Sequence, residues 1–269
     1  MTAGSSKQLQ PHRSGDAGPP ADIAIVGMSC FVPGADKLSR YWHNIVNKVD
    51  CVGEPSSDWQ SELFGDEIYV RRGGFLGDLS RFNPIRYGIV PSSVEGGEPD
   101  QFLAFRCALD ALDDAGVPDI PLNREKTGVI LGRGIFINRG LVTMISQGYM
   151  IDQFIGVLRQ VEPQRDEEEL KFIRSELSRT IPPFSAETVP GLTHNILAGR
   201  VANKLDLNGP AYTVDAACAS TLLAVDHALN ALRTRECDAV LAGGVQVTTP
   251  GMVHQAFCYL EALSRQGKI

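Results

Sequence analysis

No two of the six cysteines form a CxxC pair, and no histidine cluster accompanies them; they stand apart at positions 30, 51, 107, 218, 237 and 258. This excludes a zinc ribbon, a thioredoxin-like motif and a disulfide framework, and reads as a set of reduced thiols. Long apolar runs are missing as well. Nothing approaches the roughly 20 residues of a membrane span, and the first residues lack a signal-peptide core. No basic cluster stands out against a net charge of -7 over 269 residues, so neither nucleic acid nor an anionic membrane is expected as the main partner. Gly132 and Gly134 lie in GRG followed by IFI, which falls short of a complete GxGxxG, and no dinucleotide site is expected there. The cytosol is the expected location.

What is present is enough apolar material, 43% of residues, for a sizeable core in one large or two small domains. The chain is organised around 209–245, GPAYTVDAACASTLLAVDHALNALRTRECDAVLAGGV. Ala211 to Val214 has strand composition, and Leu222, Val225, Leu229 and Leu232 recur at helical spacing through Ser220 to Leu232. Cys218 therefore falls on a strand-to-helix turn. Ala216, Ala217 and Ala219 remove bulk around it, as a sharp turn presenting a side chain above a sheet requires. A helix N-terminus offers an anion roughly 0.3 to 2 kcal/mol and so favours a thiolate, while its free amides can hold an oxyanion. Cysteine among alanines ahead of a helix is equally the setting of a small buried hydrophobe.

Residues 1–21 are polar, small and rich in Pro and Gly, and read as a disordered leader. Order is expected from Asp22, with Ile23 to Val26 as a short buried strand ending at Gly27. Asp36 then caps a helix whose core face is Leu38, Tyr41, Trp42, Ile45 and Val46. Residues 51–87 read as loop with short strands such as Gly74 to Leu76, and they carry the densest basic set, Arg71, Arg72, Arg81 and Arg86. A solvated surface or a carrier-docking patch would both use such a set. Glu98, Pro99 and Asp100 open a helix with Phe102, Phe105, Leu109 and Leu112 on one face, closed at Gly116. A strand over Thr127 to Leu131, helices over Asp152 to Leu158, Asp166 to Leu177 and Asn195 to Leu205, and a strand over Ala239 to Gly243 complete the pattern. The alternation of strand and helix predicts an α/β fold of parallel βαβ units.

VDAACAST, preceded by GRVANKLDLNGP and followed by DAVLAGGV, closely resembles the active-site region of β-ketoacyl synthases, especially those of type I polyketide and polyunsaturated-fatty-acid synthases. AIVGMSCFVPGA and EPDQFLAFRCALDALDDAG resemble the family's opening strand and first long helix, although the latter more often begins Asp-Pro-Gln. EGGEPDQ and PPFSAETVPGL look closest to the iterative branch. The resemblance implies the N-terminal half of a thiolase-like fold over 22–269, with Cys218 accepting an acyl group as a thioester. Condensation would follow with a malonyl unit on an acyl carrier protein. It implies a homodimer, and a phosphopantetheine arm delivering substrates with no other cofactor or metal. The family's two catalytic histidines and lysine lie in its C-terminal half, beyond Ile269, so the segment is expected to be incomplete alone.

His227 lies nine positions after Cys218 and, at about 100° per residue, points away from it. His194 and His254 match no family catalytic histidine and read as structural. Three readings stay open: a ketosynthase segment, an inactive truncated remnant or interaction module, and a thioesterase or acyltransferase pairing Cys218 with His194 or His254.

Overall fold

The computed structural model describes residues 22–56, 68–117, 119–134, 138–247 and 250–266. The expected leader lies outside them. Its elements run α1 (Leu38–Val46), α2 (Pro91–Gly96), α3 (Pro99–Asp114), β1 (Thr127–Gly132), α4 (Arg139–Ile145), α5 (Ile151–Val161), α6 (Glu167–Thr180), α7 (Val189–Leu192), α8 (Ile196–Leu205), β2 (Ala211–Val214), α9 (Ser220–Arg233), β3 (Ala239–Gly244) and α10 (Gly251–Tyr259). Among the described residues the sheet has three strands in the order β2-β1-β3, all parallel.

Because successive strand residues face opposite sides, β1 divides its side chains between two helical layers. Val129 and Leu131 pack with Phe102 and Phe105 of α3 and with Ala198 and Val201 of α8, while Ile130 packs with Ala224 and Ala228 of α9. The result is helix, sheet, helix in three layers, as the strand and helix order predicts. α3 opens with Pro99 at its first turn and ends ahead of Gly116, whose φ of +81° suits glycine. Asp166 caps α6 by accepting from the Glu169 amide at 2.7 Å, which places three glutamates in the first turn where the helix dipole favours them.

The N-terminal segment departs from expectation. Residues 22–27 form no strand, and Ile25 and Val26 are exposed. They instead lie against α3: a Cβ on Gly27 would stand 2.3 Å from the Ala111 carbonyl oxygen, and the Met28 amide donates to Asp114 at 2.9 Å. A trough of about 2150 Å³ separates this segment from β3 and is lined by Leu103 and Cys107 of α3 and by Val225, Leu229 and Leu232 of α9. Across that gap no backbone group of 22–27 reaches the free edge of β3, so no ladder forms.

The expected core face of α1 is bare too, with Tyr41, Trp42, Ile45 and Val46 all exposed and Asn44 the buried residue of the helix. Asp36 does not cap it; paired bonds between Val32 and Ala35 tighten the entry turn, and Lys37 occupies the cap through its backbone carbonyl. Residues 74–76 form no strand, and the region holds an isolated bridge between Gly53 and Gly73.

α4 and α5 are one continuous helix, Arg139–Val161, joined through a π-helical turn over Ser146–Met150. Contrary to the expectation from apolar runs, its 23 residues are long and apolar enough to cross a membrane by length and composition. Its apolar content is split between a face where Ile151 and Ile155 are buried against Leu170 of α6, and an exposed ridge including Tyr149, Phe154 and Val161. Gln147, on the π turn, donates to the carbonyls of Ser178, Ile181 and Pro182, and Asp152 pairs with Arg174 at 2.6 Å, fastening the two helices together.

Candidate active site

β1, β2 and β3 end level with one another, since Gly132 pairs with Val214 on one side and with Gly244 on the other. The first turn of α9 rests directly on this edge. A Cβ on Gly132 would meet the Ser220 carbonyl carbon at 2.5 Å, and one on Gly244 would meet the Thr221 Oγ1 at 1.9 Å. Glycine at the last position of both strands is what allows the helix to descend so far. Nothing in the sequence reading had assigned Gly132 and Gly244 this seat; two strands each closing on glycine were the available signal.

From Val214 the chain turns through Asp215 and Ala216 into a single 3-10 turn, Ala217–Ala219, and on into α9. Ala217 has a φ of +49°, a left-handed conformation costing an L-residue roughly 1 to 2 kcal/mol. Local hydrogen bonds hold it there. The Ala217 amide donates to the Asp215 carboxylate at 2.9 Å, the Ala216 amide to the Ser220 hydroxyl at 2.9 Å, and that hydroxyl to the Ala217 carbonyl at 2.7 Å. The constrained turn presents Cys218 exposed at the C-terminal edge of the sheet.

The other thiols differ. Burial pushes Cys107 up to about 11 and also raises Cys30 and Cys237, which keeps all three protonated. The small-buried-hydrophobe description fits Cys237 and Cys258, and it does not fit Cys218.

Two of the surrounding histidines are held by contacts of their own. His227 lies 3.2 Å from the Tyr212 hydroxyl on the far side of α9, as the helical angle predicts. His254 stacks on Phe75 at 6.1 Å and bonds the backbone of Arg72; burial lowers its pKa. His194 comes nearest the site in its electrostatics: burial and the Arg133 charge lower its pKa against the opposing pull of Asp215 and Asp100. Its neighbour Asn195 accepts from the Thr213 amide at 3.1 Å and so ties this segment to β2.

Beneath the site lies a charged cluster the sequence reading had not assembled. Arg133 donates to Asp100 at 2.8 Å and lies 3.6 Å from Glu98, with both pairs almost fully buried. Glu98 does not cap its own helix; its carboxylate accepts from the Gly140 amide at 3.0 Å, at the start of α4. Burial, the largest influence, raises the Glu98 pKa against the opposing effects of Gly140 and Arg133. Of the basic residues between 51 and 87, Arg72 pairs with Asp50 and Glu54, Arg81 pairs with Asp78, and Arg86 lies over the Tyr87 ring. These are the partners of an ordinary solvated surface. Among the described residues no group of three His, Cys, Asp or Glu side chains could hold a metal.

The site is thus an exposed thiol on a strained strand-to-helix turn at the C-terminal edge of a parallel sheet in an α/β fold. The model of the β-ketoacyl synthase N-terminal domain matches residues 21–269, and the chain belongs to that family. It is 33% identical over 261 residues to the polyketide synthase PksN of Bacillus subtilis, covering 94% of this chain and 4% of that protein. It is 31% identical over 256 residues to the mycoketide-CoA synthase of Mycobacterium tuberculosis, covering 91% and 5%. The ketosynthase from module 6 of the bacillaene synthase of Bacillus subtilis superposes with a TM-score of 0.67 at 28% identity, over 91% of this chain and 35% of that one. The fold is thus thiolase-like, as the resemblance implies. The chain spans about a third of that ketosynthase and a small fraction of its multidomain relatives.

Proposed function

We propose that Cys218 accepts an acyl group as a thioester in chain elongation by a polyketide-type synthase. The reading is carried by one observation: the single exposed thiol at the sheet's C-terminal edge sits on a turn held left-handed at Ala217, at the start of α9. In the first step the Cys218 thiolate attacks the carbonyl of an acyl thioester on a phosphopantetheine arm. The carrier thiolate leaves, and the developing oxyanion needs a donor beside the thiol other than the Ala216, Ala217 and Ala219 amides, which are already engaged within the turn. In the second step a malonyl thioester loses carbon dioxide, its α-carbon attacks the Cys218 thioester, and the thiolate is released. Groups that stabilise that enolate belong to the family's C-terminal half, so this segment supplies the nucleophile and an adjoining or separate segment supplies the rest. An acyl carrier protein and a second copy of the synthase are the partners this reading requires.

The test is intact-mass measurement after incubation with an acyl-N-acetylcysteamine thioester, a short mimic of the arm. A mass gain of one acyl group is expected in the unaltered chain and not in Cys218→Ala. No gain in a folded chain would favour the second reading, an interaction module without turnover, for which the open apolar trough between residues 22–33, α3 and α9 is the supporting observation.

A further inference from the structure

We propose that Arg133 is a positioning residue for the cysteine turn, clamped by Asp100 and Glu98 so that it fixes the two loops that back Cys218. The inference rests on the acyl-transfer reading above and assigns a role to a cluster about which that reading is silent.

Four segments are joined through Arg133 and the two carboxylates beside its guanidinium. Its own loop follows β1, and the Arg133 amide donates to the Val214 carbonyl at 3.0 Å, immediately ahead of the turn. The same Gly132 that seats Ser220 accepts from the Val245 amide at 3.0 Å through its carbonyl. Two residues on, the Val247 amide donates to Asp100 at 2.8 Å, while the other oxygen of that carboxylate takes the Arg133 Nε. Glu98 completes the set by holding the Gly140 amide, and its side chain is packed so closely under α7 that a Cβ on Gly191 would stand 2.8 Å from it. Thus the loop after β1, the loop after β3, and the starts of α3 and α4 share one buried ionic node. Hydrogen bonds to charged groups are stronger than neutral ones, and buried carboxylates lose their compensation if the cation is removed. Arginine suits the place because its planar fork hydrogen-bonds Asp100 through Nε while Nη2 stands at ion-pair distance, 3.6 Å, from Glu98, a geometry lysine provides only in part.

The position of the node explains why it bears on chemistry. Acyl transfer requires the thiol and the oxyanion donors to be held within a fraction of an ångström, whereas simple alkylation of an exposed thiol does not. Loosening the node should therefore separate the two reactivities. The experiment compares the full chain with Arg133→Met, Arg133→Lys and the charge-balanced triple variant Glu98→Gln, Asp100→Asn, Arg133→Met, which leaves no uncompensated buried charge and serves if the single variant does not fold. Three quantities are read: Cys218 acylation by the acyl thioester, Cys218 alkylation by iodoacetamide relative to Cys51, and amide exchange in the peptide spanning 214–221.

Removal of the cation is expected to slow acylation about tenfold or more, to change alkylation less than about threefold, and to speed exchange in 214–221 but not in α6. Arg133→Lys is expected to restore most of the acylation. If a folded variant lacking the cation acylates and exchanges like the unaltered chain, the proposal is overturned. If acylation and alkylation fall together and lysine restores neither, Arg133 serves only to hold the fold, and the proposal also fails. Should the unaltered chain take no acyl group, the acyl-transfer reading fails instead. Exchange then decides alone: faster exchange reversed by lysine supports the node, and unchanged exchange sinks it.

Discussion

The helices α3 and α1 each carry an apolar face in sequence, the sharper one on α1, yet they end in opposite circumstances. Phe102 of α3 is 1% exposed between α8 and β1, while Trp42 of α1 is 67% exposed. Amphipathic spacing specifies which side of a helix is apolar; it does not supply the surface that covers it. Around Cys218 the covering surfaces are all local: β1 between its two neighbours, α3 and α8 on one side, α9 on the other. Along residues 22–50 Ile25, Val26, Tyr41, Trp42, Ile45 and Val46 face an open trough or solvent.

The largest effect should come from attacking this contrast directly. Phe102→Ala removes a fully buried ring from the main core and is expected to cost about 3 to 5 kcal/mol in chemical denaturation. Trp42→Ala is expected to stay within about 0.5 kcal/mol. Comparable losses from the two would mean that α1 is covered in solution, and the contrast would collapse. Next comes the seat of the cysteine turn. Gly132→Ala forces a methyl group into the backbone of Ser220 and should cost about 1 to 3 kcal/mol, with acylation of Cys218 falling along with it. If the variant melts and acylates like the unaltered chain, the close descent of α9 onto β1 is not what holds the turn.

The legible part of the fold follows the same division. Ala211–Val214 and the strands beginning at Thr127 and Ala239 were readable because each is a short apolar run between turn signals, and each finds its partner within the chain. The Cys218 turn was readable from alanines flanking the thiol. On α9 the pattern misled: Leu222, Val225, Leu229 and Leu232 mark one face, but the buried alanines are Ala224, Ala228 and Ala231, the first two packed on the sheet. Small residues let a helix sit close to strands, while Val225, Leu229 and Leu232 line the trough and Leu222 is exposed. Residues 22–27 were misread as a strand because apolar composition cannot say whether a free edge lies within reach. The Arg133 cluster was invisible because its members lie 33 or more positions apart from the arginine, and only the folded β1 to α3 packing brings them together.

Acid sensitivity offers a finer comparison between the regions. His194, beside the site, and His254, beside residues 72–75, both have pKa values lowered chiefly by burial. Each imidazole is more readily protonated in the unfolded chain than in the folded one. Folding stability should therefore decline as pH falls below the ordinary histidine value of 6.5 and through the lower folded values. Glu98 has the opposite bias, with a folded pKa above its ordinary 4.5, so its contribution is present below that value and is lost as pH rises through the folded pKa. Denaturation midpoints across pH 4 to 8 should show a shallower acid decline in His194→Gln, and Glu98→Gln should flatten loss on the rising side. Parallel curves for the unaltered chain and both variants would show that neither group is linked to folding.

The smallest predicted effect isolates the strain at the Cys218 turn from the packing around it. Ala217 keeps its left-handed φ because the Asp215 carboxylate and the Ser220 hydroxyl hold the backbone on either side. Glycine adopts that conformation without the Cβ penalty but has more freedom to lose on folding. The two terms oppose, so Ala217→Gly should change stability by no more than about 1 kcal/mol, in the stabilising direction if strain dominates. On the proposed reading its acylation rate should fall even where its melting temperature rises, because the backbone that holds the Cys218 sulfur is then less tightly pinned. A variant both more stable and equally reactive would show that the left-handed turn is tolerated by the fold without serving the thiol.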